Sequence, residues 1–107
     1  MPNFDFTVIV KLPHGAQNSQ VYLDALFEDG CNDASVIEVT PEKISLHYRR
    51  TSGKKFDAID DAIREFIDSA VWVRRDAGTL TETYLFDVLD DGEKIGDARF
   101  DLTQNGR

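Results

Sequence analysis

A chain of 107 residues is the length of one domain, and with 41% hydrophobic residues it can build a core, which argues against disorder. Twenty acids against twelve bases give a net charge of −8, which disfavours direct binding to nucleic acid or to anionic membranes. The single cysteine excludes an internal disulfide and fits a reducing cytoplasm.

The opening MPNFDFTVIVKLPHG has no basic flank and alternates apolar with polar residues, so it does not read as a secretory signal. No apolar run approaches the roughly 20 residues that span a bilayer. Phe4 to Leu12 alternates as a half-buried strand: Phe4, Phe6, Val8, Val10 and Leu12 face one way, Asp5, Thr7, Ile9 and Lys11 the other. Pro13-His14-Gly15 ends it. Asn18 or Ser19 caps a first helix with Leu23, Leu26 and Phe27 on its apolar face and Tyr22 beside it. Gly30 is suited to stop that helix in the left-handed conformation. Cys31 re-enters the core, and Val36, Ile37 and Val39 form a second strand.

Thr40 to Lys43 reads as a turn into a third strand, with Ile44, Leu46 and Tyr48 inward and Ser45, His47 and Arg49 outward. A basic loop carries Lys54 and Lys55. The second helix follows, with Phe56, Ile59, Ile63, Phe66, Ile67 and Ala70 on one stripe and acids on the other. Val71-Trp72-Val73 either finishes that helix or begins something extended. Leu80 to Leu89 is a fourth strand with Tyr84, Phe86 and Val88 on one face. Asp90-Asp91-Gly92-Glu93 is a hairpin signal. Lys94 to Leu102 is a fifth strand, in which Ile95 is out of phase and Gly96 marks a bulge.

The expected class is α+β: a ferredoxin-like βαββαβ sandwich with both helices on one face of an antiparallel sheet, plus one C-terminal strand. Residues 1–107 form one domain, with a βαββα core over 1–75 and an acidic β-hairpin over 76–103.

No catalytic constellation emerges. His14 and His47 share no metal-ligand spacing with a cysteine or acid, and Cys31 is flanked by Glu28, Asp29 and Asp33 rather than by cations. Phosphate loops, dinucleotide fingerprints and nucleophile elbows are absent, and nothing implies a cofactor or metal. The outward positions of the first and third strands offer no aromatic platform for RNA. Charge is the uneven feature. Residues 76–107 hold eight acids and three bases, and Glu82, Asp87, Asp90, Asp91, Glu93, Asp97 and Asp101 make the final hairpin a candidate partner-binding surface. The competing reading is that these charges only protect a sheet edge.

The stretch DALFEDGCNDASV, preceded by FDFTVIVKLP and followed by HYRR and FDAIDDAI, resembles a group of small bacterial proteins sharing an LFE-x-G-C-x-D-A segment. In many of them a helix-turn-helix follows. The resemblance covers roughly the first 70 residues and implies a shared interaction or dimerisation module with no catalytic residue. After Arg75 no helix-turn-helix pattern follows, only the acidic hairpin. The sequence therefore leads to a non-catalytic protein that binds a basic, nucleic-acid-handling protein partner, in the manner of anti-CRISPR or anti-restriction inhibitors. A dimerisation or ligand-sensing domain of ACT-like architecture is the alternative, and a homodimer stays open.

Overall fold

The computed structural model describes residues 2–105. Among these the chain forms two helices and a five-stranded antiparallel sheet, in the order β1 (Asn3–Lys11), α1 (Ser19–Glu28), β2 (Ala34–Val39), β3 (Lys43–Thr51), α2 (Lys55–Val73), β4 (Leu80–Asp90) and β5 (Glu93–Gln104). The strands lie side by side as β2-β3-β1-β4-β5. Helix α1 thus links β1 to β2 across β3, and α2 links β3 to β4 across β1. This arrangement is compatible with a ferredoxin-like sandwich. Neither helix is long and apolar enough to cross a membrane.

Alternation dictates which side of each strand is buried. Phe6, Val8 and Val10 of β1, Ile44, Leu46 and Tyr48 of β3, and Tyr84, Phe86 and Val88 of β4 join one core with the buried sides of both helices. Aromatic rings tie the layers together. Tyr22 of α1 stacks on Phe66 of α2 at 6.0 Å between centroids, and meets Tyr84 of β4 edge-on at 5.9 Å. Phe66 meets Phe86 edge-on at 5.9 Å, so α2 is fixed over the centre of the sheet.

Helix α1 begins where Asn18 Oδ1 accepts the Gln20 N–H at 2.9 Å, so the cap is Asn18, while Ser19 is buried and its hydroxyl donates to the Thr40 carbonyl. The helix stops at Gly30, whose φ of 99° is left-handed. The Gly30 N–H donates to Phe27 O and the Cys31 N–H to Leu26 O, the paired bonds of a Schellman stop. Phe27 lies at the margin of the buried arc and is exposed, because roughly 100° per residue carries it past Leu26 and away from the core. Tyr22, Leu23 and Leu26 occupy the interior.

Helix α2 runs through Val71-Trp72-Val73 to its end. Its buried stripe is completed by Ala58, Ala62 and Ser69, small residues that admit close packing. Phe56 in its first turn stays exposed. The β4–β5 turn has Asp91 at φ 53° and Gly92 at φ 83°, both positive, as a two-residue type I′ turn requires. In β5 the register passes from Val88↔Gly96 to Leu89↔Lys94, leaving Ile95 as the extra, bulged residue. The hairpin is no appendage: β4 pairs with β1 and supplies three large core side chains.

Candidate protein-binding surface

The acids of the hairpin are distributed over three different environments. Glu82 shares the parity of Tyr84 and Phe86, so it points inward and is 6% exposed. Its Oε1 accepts from Arg74 Nε at 3.0 Å and from the Tyr84 hydroxyl at 3.2 Å. Since Tyr84 gives its proton to Glu82, the 2.8 Å contact with Tyr22 has Tyr22 as donor. The Gln17 N–H donates in turn to the Tyr22 hydroxyl at 3.4 Å. A hydrogen-bonded chain therefore runs from the start of α1 through two phenols to a buried ion pair. Burial, and then the bond from Tyr22, push the Tyr84 hydroxyl well above the ordinary tyrosine range. The chain is a structural tie between α1, β4 and the end of α2, and Glu82 is not part of the projecting surface.

Asp87, Asp97 and Asp101 lie on the outer face of the sheet, each beside a cation. Asp87 is held between Lys11 at 3.4 Å and Lys94 at 3.2 Å. Burial alone would raise its carboxyl, yet the bond from Lys94 and the charge of Lys11 hold it below the ordinary value. Asp97 also meets Lys94, and Asp101 accepts from Thr83 at 2.7 Å and from Arg99 at 3.1 Å. Asp90 pairs with Lys55, which ties the hairpin turn to the first turn of α2. Asp91 and Glu93, at the turn, have no cation within ion-pair distance among the described residues.

The helix layer differs. Glu28 and Asp29 of α1 and its cap, and Asp57, Asp61 and Asp68 of α2, are all exposed and have no ion-pair partner among the described residues. Two cations of this layer are already engaged: Arg64 pairs with Asp60, and Arg75 lies over the Trp72 ring with its guanidinium carbon 3.6 Å from the centroid, while Lys54 at the start of α2 is exposed. The uncompensated negative charge of the fold therefore gathers on the outer surface of the helices, continuing to Asp91 and Glu93 at the neighbouring turn.

A second set of ion pairs lies inside the fold, around Arg50 of β3. Arg50 is an internal counterweight, with its side chain 12% exposed. Its Nε and Nη2 donate to Asp33 at 2.6 and 2.8 Å, and its Nη1 and Nη2 donate to Glu65 at 2.8 and 3.2 Å. It joins β3, the segment before β2 and α2 through one guanidinium, a geometry suited to arginine's planar fork. Beside it, burial first and then the nearby carboxylates push the Cys31 thiol up to about 11, so it stays a thiol at neutral pH.

On the outer sheet face the His47 ring contacts Asp5 at 3.3 Å and Thr7 at 3.4 Å, among polar neighbours. At the opposite edge, Val36, Ile37 and Val39 of β2 are exposed, Ile37 at 58%. No protein-family model, curated protein or solved structure matches this chain.

Proposed function

We propose that this chain is a ferredoxin-like domain, extended by a fifth strand, that acts without catalysis by binding a basic protein partner in the cytoplasm. The partner is a nucleic-acid-handling protein, and the domain inhibits or regulates it by covering the surface that would meet phosphate. The observation that carries this reading is the set of exposed, unpaired carboxylates on the helix layer. Ions left uncompensated across one face repel each other and raise no stability, but they complement a positive surface and speed its approach. The hairpin contributes through Asp91 and Glu93, with Asp87, Asp90, Asp97 and Asp101 available to exchange partners on binding.

Capture from a nuclease-treated bacterial lysate tests the reading. The expected partner is retained at low salt, released at high salt because exposed ion pairs are screened, and displaced by duplex DNA. A partner that DNA cannot displace contradicts the phosphate-mimic account.

A second reading, a dimerisation domain, is favoured by the β2 edge. Val36, Ile37 and Val39 are exposed there on a strand with one free side, and an apolar free edge is a template for pairing. On that reading, sedimentation finds a dimer that Ile37→Lys converts to a monomer. A wild-type monomer at high micromolar concentration rejects it.

A further inference from the structure

We propose that the groove between α1 and α2, centred on Trp72, seats an arginine-bearing amphipathic helix of the protein partner. The inference rests on the acidic-surface reading and says where on that surface the partner lies and in what form.

Two adjoining depressions make the groove. One is lined by Ala25, Glu28, Asp29, Asp68, Ser69 and Trp72. The other shares Ala25, Glu28 and Trp72 and extends to Val21, Val73 and Arg75. Ala25 and Ser69 are small and leave room between the helix axes. Trp72 is 58% exposed and Val21 is also exposed, so apolar surface is open to water at this place. A large exposed indole is a residue type enriched where interfaces concentrate their energy. Glu28, Asp29 and Asp68 border it without any cation of their own among the described residues.

Arg75 shows what the indole accepts. Its guanidinium stacks on the ring and its Nη1 donates to the Trp72 carbonyl at 2.7 Å. That contact uses the ring and leaves the three carboxylates unneutralised. A second guanidinium, supplied by a partner, would meet carboxylates that suit its planar fork. The walls of the groove are helices whose backbone groups are bonded internally, so an added strand finds no ladder here. A third helix can pack its ridges into the groove between two others.

Trp72 is the single tryptophan of the chain, so its fluorescence reports on the groove directly. The probe is a synthetic amphipathic peptide with arginines at i and i+4 on one face and leucines opposite, compared with a peptide of equal charge broken by central prolines. The expected result is a saturable shift of Trp72 emission with the helical peptide alone. By anisotropy of the labelled peptide, Trp72→Ala weakens binding at least tenfold, as does combined Glu28→Gln, Asp29→Asn and Asp68→Asn. Circular dichroism checks that each variant is folded, and Glu42→Gln, an exposed acid at the β2–β3 turn away from the groove, serves as the control that leaves affinity unchanged. Equal binding of the two peptides, no binding of either, or undiminished binding to Trp72→Ala overturns the groove while leaving the acidic surface standing. Helical-peptide binding that ignores loss of the three carboxylates overturns the charge complementarity on which both rest.

Discussion

Arg50 and the Arg74–Glu82 pair commit their charge to the interior, and each has a measurable signature. The bond from Arg50 holds the Asp33 carboxyl below its ordinary value of 3.8, the Arg50 charge adding to it against the opposing effect of burial. A carboxyl lowered by folding contributes stability that is complete above its unfolded value and is lost as pH falls through the folded one. The melting temperature of the wild type should therefore drop as pH falls below about 4, and Asp33→Asn, less stable at neutral pH, should drop less over the same range. A constant gap between the two curves down to pH 2 would contradict the pairing. Glu82→Gln leaves the largely buried Arg74 without its counter-ion and weakens the acceptor of Tyr84. We expect a loss of about 2 kcal/mol by urea unfolding. A change below about 0.5 kcal/mol would show that the network is merely tolerated.

At the scale of elements, much of the architecture was legible because period and punctuation agree. Alternation in β1, β3 and β4 names the inward residues, and Gly30 and Asp91-Gly92 mark a helix stop and a hairpin through positive φ. Glu82 was legible too, since it shares the parity of Tyr84 and Phe86. What hid it was counting acids by segment, which treats every carboxylate on a strand as surface. The partners of the hairpin acids were not legible, because Lys11 arrives from β1 and Lys55 from α2, contacts made only once the sheet is assembled. The open groove beside Trp72 was hidden for the same reason: α2 could not be followed to its end until tertiary packing placed Val71-Trp72-Val73 on it. The turn offers a clean test of element geometry. A Cβ on Gly92 would meet nothing within 4 Å, so Gly92→Ala carries only the strain of its positive φ. It should cost about 1 kcal/mol, or roughly 4–8 °C in melting temperature. Gly53→Ala, where φ is not positive and space is also open, should cost nothing. Equal effects would mean that the turn does not hold the conformation described.

At the scale of the whole molecule, the two faces of the sandwich divide the charge between them. The outer face of the sheet carries acids and bases in contact, as at Lys11, Asp87, Lys94 and Asp97, and gains a polar, locally balanced surface. Such pairs blunt the long β5 edge against other sheets. The helix layer carries the unbalanced acids together with exposed Trp72 and Phe56, so charge and apolar area coincide there. A net charge of −8 thus says less than its placement does. The partner captured by the wild type provides the most direct measurement of this division. Its affinity should be compared for two neutralised variants: Asp57→Asn, Asp61→Asn and Asp68→Asn on the helix layer, and Asp87→Asn, Asp97→Asn and Asp101→Asn on the sheet. We expect the helix-layer variant to lose at least tenfold in affinity and to flatten the salt dependence, while the sheet variant changes affinity less than threefold. The reverse order would place the partner on the outer face of the sheet and contradict the account.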